Sequence, residues 1–85
     1  MDYVLLMAGT ITHAQRMSST LGKLGISNRI FRPPAGLTDK GCSYAVGVAA
    51  GRFETAMERL QETGLLPVKV FYSAGDGAYR EIVMR

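Results

Sequence analysis

SYAVGVAAGRFETAMERLQETG, residues 43–64, changes its hydrophobic period part-way along, and that change decides the fold. In its first part Tyr44, Val46, Val48 and Ala50 alternate with Ser43, Ala45, Gly47 and Ala49. A repeat of two places successive side chains on opposite faces of a strand, here one bulky face and one of small residues that another group can approach closely. From Arg52 to Thr63 the repeat lengthens. Phe53, Ala56, Met57 and Leu60 fall at helical spacing, Glu54, Glu58, Arg59, Gln61 and Glu62 are left for solvent, and Gly64 follows as a stop. The stretch therefore reads as a strand feeding an amphipathic helix.

Working toward the N-terminus, Pro33 to Gly41 is a loop by composition, and it delivers Cys42 to the start of that strand. Ile26 to Arg32, with Ile30 and Phe31, reads as another strand, stopped at Pro33-Pro34 where amide hydrogens are lost. Ahead of it Ala14, Met17, Leu21 and Leu24 mark a first helix, with Thr12 offering a capping hydroxyl and Gly25 a left-handed stop. Ser18, Ser19 and Gly22 lower its propensity, so packing must hold it. Tyr3 to Ala8 is a short, wholly apolar run, the signature of a buried strand.

Working toward the C-terminus, Val68 to Tyr72 follows Pro67 and is rich in β-branched and aromatic residues, a fourth strand. Asp76-Gly77 is a hairpin signal, and Tyr79 to Val83 can fold back as a fifth strand. The order strand, helix, strand, strand, helix, strand is the split βαβ or ferredoxin-like α+β pattern (βαββαβ), a single sheet with both helices on one face, here with an extra C-terminal hairpin strand. With no linker and no low-complexity tract, residues 1–85 read as one domain. LGKLGI (21–26) and LQETGL (60–65) echo each other, as the pseudo-twofold build of this fold requires.

Composition narrows the function classes. Apolar residues make up 47% of the chain and charged ones 20%, which excludes a disordered chain. The net charge of +3 comes from lysines and arginines spread singly along the sequence, without the cluster or stripe of a nucleic-acid footprint. A lone cysteine excludes an internal disulfide and suits a reducing compartment. The opening MDYVLLM lacks the basic region of a signal peptide and is too short to span a bilayer, so the expectation is a cytoplasmic protein that meets no membrane. A domain this small gains stability from burying more surface, which favours a homodimer.

Only one side chain stands out as a centre of covalent chemistry. Cys42 lies between Gly41 and Ser43, with Lys40 ahead of it and Arg29 and Arg32 in the neighbouring strand. Cationic neighbours and backbone amides favour the thiolate, the nucleophilic form. The competing reading is a small buried hydrophobe, a common fate of free cysteine. His13, in the first turn of the first helix, reads as a surface residue. With Cys42 it does not make up the nucleophile, base and orienting group that turnover needs, so an enzyme in its own right is disfavoured. One histidine and one cysteine at no ligand spacing leave no metal site. Gly36, Gly41 and Gly47 do not form a phosphate cradle, so no cofactor is expected. Met7, Met17 and Met57 fall on core faces.

Tyr3-Val-Leu-Leu, Thr12-His-Ala14, Leu24-Gly25-Ile26, Arg29 to Pro34, Gly41-Cys42-Ser-Tyr-Ala-Val46 and Gly64-Leu-Leu-Pro-Val68 occur in an order that resembles the selenium/sulfur carrier protein-like family, small bacterial domains with a central cysteine. The resemblance covers roughly residues 3–72. Members of the family often carry glycine directly after the cysteine; here Gly41 precedes it and Ser43 follows. The stretch from Ala74 to Arg85 also extends past the usual end, as a strand that would cover a sheet edge or build a dimer. The resemblance implies that Cys42 accepts sulfur or selenium as a persulfide or selenosulfide from a donor protein and hands it to an acceptor protein. Arg32, Lys40, Gly41 and Ser43 would set the charge and exposure of the thiol. The alternative is a ferredoxin-like protein-binding or regulatory module in which Cys42 is packing.

Overall fold

The computed structural model describes residues 2–33, 44–75 and 77–82. Strand β1 (Tyr3–Ala8) leads to helix α1 (Ile11–Lys23), then β2 (Asn28–Phe31), β3 (Tyr44–Ala49), a 3-10 turn (Ala50–Arg52), helix α2 (Phe53–Glu62), β4 (Lys69–Ser73) and β5 (Arg80–Ile82). The strands form one sheet in the order β2-β3-β1-β4-β5, antiparallel at every pairing. The first four strands have the ferredoxin-like arrangement, and β5 lies beyond β4 as the extra strand. Among the described residues no helix is long and apolar enough to cross a membrane.

β1 occupies the centre, and five of its six residues are buried. Val4, Leu6 and Ala8 face the helices and pack with Val46, Val48 and Val70 against Ala14, Met17 and Leu21 of α1 and Ala56 and Leu60 of α2. Leu5 and Met7 point the other way, into a second cluster with Ala45 and Phe71 that Tyr3, Phe31 and Tyr79 flank. Burial on both faces is what a strand with no polar alternation requires. The methionines behave as filler: Met7 and Met17 are fully buried and Met57 packs on the core edge.

Both helices stop as their glycines foretell. Gly25 and Gly64 have φ of +76° and +71°, and the amides of Ile26 and Leu65 reach back to the carbonyls of Leu21 and Leu60. This is the six-to-one bond of a Schellman cap, repeated in both halves. The start of α1 differs from expectation. Thr10, in extended conformation, caps the helix by accepting the His13 amide, while Thr12 lies inside the first turn. A capping oxygen must precede the helical residues it serves, and the helix begins at Ile11.

β2 is shorter than its apolar pattern suggests, because Ile26 is drawn into the α1 cap and the core instead of pairing. Asn28 opens the strand and ties it to α1. Its amide nitrogen donates to the carbonyls of Ser18 and Ile26, and its Oδ1 accepts from the Ser18 hydroxyl. This clip gives α1 a tertiary anchor beside the low-propensity Ser18, Ser19 and Gly22. β4 and β5 pair from Val70↔Ile82 to Tyr72↔Arg80, and their connection spans residues 74–79, longer than a two-residue turn. Gly75 and Gly77 supply positive φ within it; Asp76 and Val83 lie outside the described residues.

Candidate functional site

β2 and β3 are hydrogen-bonded neighbours whose pairing runs to Phe31↔Ala45, so the two ends of the segment between them stand side by side. Cys42, Lys40, Gly41 and Ser43 belong to that segment and lie outside the described residues. Of the residues expected to modulate the thiol, only Arg32 is described. It is exposed and stacks on Tyr44, with its guanidinium carbon 5.3 Å from the ring centre. The contact joins the residue after β2 to the first residue of β3 across the mouth of the hairpin.

The register places further elements at this end of the sheet. Tyr44 pairs with Ala8, the last residue of β1, and Met7 pairs with Lys69, the first of β4. α1 starts three residues after Ala8, so its N-terminal amides lie at this end, and its first turn holds no acidic side chain. His13 is part of this turn. Its Nε2 lies 3.3 Å from the Leu65 carbonyl oxygen, which bridges α1 to the approach to β4. The Val68 amide donates to the Met7 carbonyl and fixes the same approach from the sheet side.

Among the described residues three large apolar side chains remain in solvent at this end: Ile11 at 40% exposure, Leu66 at 44% and Val68 at 59%. Ile11 opens α1, and Leu66 and Val68 lie on the stretch that the His13 and Val68 contacts hold in place. Sequence periodicity does not reveal this placement, because Ile11 and the Leu66–Val68 stretch are far apart in sequence and the fold sets both at one end of the sheet. Among the described residues Arg32 and Lys69 bring positive charge to this end. Among the described residues no three His, Cys, Asp or Glu side chains come together as a metal-binding set.

The split βαβ sheet with two helices defines a small α+β domain, and its single cysteine belongs to the segment between β2 and β3. The sequence model of the family described as "Putative Se/S carrier protein-like" matches residues 2–72, and the chain belongs to that family. Comparison with curated proteins and with solved structures found no match. The family match ends within β4, so β5 is an addition to the part the family shares.

Proposed function

We propose that the protein carries sulfur or selenium on Cys42 between a donor and an acceptor protein. Membership of the Se/S carrier-like family is the observation that carries this reading. The surroundings support it. Two peptide units tie Cys42 to Tyr44, and so to the end of the sheet that holds Arg32, Lys69 and the α1 amides. These groups favour a thiolate over a thiol. The exposed Ile11, Leu66 and Val68 give the same end an apolar surface, which a carrier needs because it must dock successively on two partners.

The chemistry asks for one thiolate and nothing else. Cys42 S⁻ attacks the terminal sulfur of a donor persulfide R–S–SH, a new S–S bond forms at Cys42, and the donor's S–S bond breaks to release R–S⁻. Electrons and atoms balance without an outside oxidant. An acceptor thiolate repeats the attack on the terminal atom to unload it, and selenium follows the same course. Lys40, Gly41 and Ser43 set the access and charge of the thiol alongside Arg32. The reading also includes a cytoplasmic, reducing location and turnover supplied by the partners.

Intact-mass spectrometry after incubation with glutathione persulfide tests the proposal. The expected result is a gain of one sulfur atom, reversed by a small thiol and absent in Cys42→Ala, whose circular dichroism stays that of the wild type. A Cys42→Ala variant that loads as well as the wild type, or a wild type that never loads, overturns it.

A further inference from the structure

The face of the sheet turned away from the helices carries an open groove of about 700 Å³, lined by Tyr3, Ser27, Asn28, Arg29, Phe31, Gly47, Val48 and Ala49. It lies toward the other end of the sheet from the Cys42 connection, where β1 starts and β3 ends. The floor is β3. Gly47 and Ala49 present almost no side chain there, so the strand is bare between its two neighbours. On one side stands Tyr3, which pairs with Ala49; on the other stands Arg29, which pairs with Gly47, with Ser27 just beyond the start of β2. Phe31 leans in over the floor, with Cε1 3.1 Å from where a Cβ of Gly47 would stand, and closes the groove toward the cysteine end.

The walls are two strand spacings apart, about 10 Å, which admits one flat ring system lying on the glycine–alanine floor. Tyr3 and Phe31 offer aromatic surface to such a ring. Tyr3 is held in place, since its hydroxyl is 3.2 Å from that of Tyr79, which flanks the same face of the sheet. Among the described residues Arg29 is the only charged one of the lining. It is exposed, and among the described residues no carboxylate pairs with it; Arg59–Glu62 is the ion pair found there. A free guanidinium beside an uncharged hydroxyl and above an apolar floor selects an occupant that is anionic at one edge and flat and apolar elsewhere. The size falls within that of small-molecule sites.

We infer that this groove binds a small planar organic anion, an aromatic carboxylate or a close analogue, with its carboxylate on Arg29 and Ser27 and its ring over Gly47 and Ala49 between Tyr3 and Phe31. The site is separate from Cys42 and does not depend on chalcogen transfer.

Titration of the ¹⁵N-labelled full-length protein with 2-naphthoate, followed by amide chemical shifts, tests the inference. Saturable shifts are expected at Tyr3, Arg29, Phe31, Gly47 and Ala49. Arg29→Gln should weaken 2-naphthoate about tenfold, the size of a lost charge-assisted contact, while leaving the weaker binding of the neutral 2-naphthalenemethanol unchanged. Ala49→Leu, at an exposed position that tolerates the larger side chain, should fill the floor and abolish binding of both probes. Shifts that do not saturate, shifts that map elsewhere, or equal affinity of wild type and Arg29→Gln for 2-naphthoate would each overturn the assignment.

Discussion

The Arg32 guanidinium stacks on the Tyr44 ring at 5.3 Å and spans the mouth of the hairpin whose connection contains Cys42. It therefore links an exposed cation to the residue from which the cysteine is two positions removed. Arg32→Gln removes the charge and the stacking together. An exposed cation–π contact contributes about 0.5–1 kcal/mol, so urea unfolding should show a loss of that size. Under the carrier reading the same substitution lowers the thiolate fraction of Cys42, and alkylation by iodoacetamide at neutral pH should slow about twofold at low salt. The difference should shrink in high salt, where exposed charges are screened. Equal rates in both proteins at low salt would remove Arg32 from the site.

Phe31 lies close over Gly47 on the open face. With 3.1 Å between Phe31 Cε1 and the site of a Gly47 Cβ, any side chain at 47 must displace the ring. A single methyl asks for a few tenths of an ångström from a half-buried side chain on an edge strand, and it also reduces the backbone freedom of the unfolded chain. Gly47→Ala should therefore stay within about 1 kcal/mol of wild type, whereas Gly47→Val should cost about 1–3 kcal/mol through overpacking. Placing Gly47→Val in a Phe31→Leu background should recover most of that cost. Additive losses in the double mutant would mean that the strain lies elsewhere.

The Asn28 side chain makes three hydrogen bonds, two to Ser18 and one to the Ile26 carbonyl, and holds the start of β2 against α1. Asn28→Ala leaves the Ser18 hydroxyl and two carbonyls without these partners at a half-buried position. The expected loss is about 1–3 kcal/mol by chemical denaturation. Hydrogen exchange should rise in β2 and the last turns of α1 while β1 and β4 stay protected. Uniform loss of protection across the sheet would show that the clip stabilises the fold as a whole and not this corner.

How much of this is legible before the structure depends on how local the cause is. The bounds of β1 and the positive-φ stops at Gly25 and Gly64 follow from runs of six or fewer residues, and they stand where the sequence puts them. The small face of β3 is equally local, and it is the face that Phe31 covers. The start of α1 is not, because Thr10 and Thr12 both offer a hydroxyl and only backbone conformation selects between them. Ile26 reads as a strand residue, but the α1 cap claims it. The groove and the Ile11, Leu66 and Val68 cluster are the least legible features. The groove arises from register between strands, as in Tyr3↔Ala49 and Arg29↔Gly47, and the exposed apolar end from where α1 and the approach to β4 meet the sheet. Cys42 is found by chemistry alone, as the one nucleophile of its kind in the chain.

The paired phenols of Tyr3 and Tyr79 predict an unusual alkaline limb. The hydrogen bond from Tyr79, aided by Ser73, pulls the Tyr3 pKa below its ordinary value, and donating that same bond pushes Tyr79 above its own. The two should titrate as a pair, with one macroscopic step below about 10 and one above it. The depressed group makes the folded state release a proton before the unfolded chain does, so this pair adds stability as pH climbs toward 10. The raised group holds its proton after the unfolded chain has lost one, so the gain is lost again as pH rises through the upper step. Ultraviolet difference titration should resolve the two steps. Tyr3→Phe should abolish the lower one and return Tyr79 toward its ordinary range, because its acceptor is gone. A wild-type curve fitted by four identical tyrosines near 10 would show that the 3.2 Å contact between the two hydroxyls does not hold in solution.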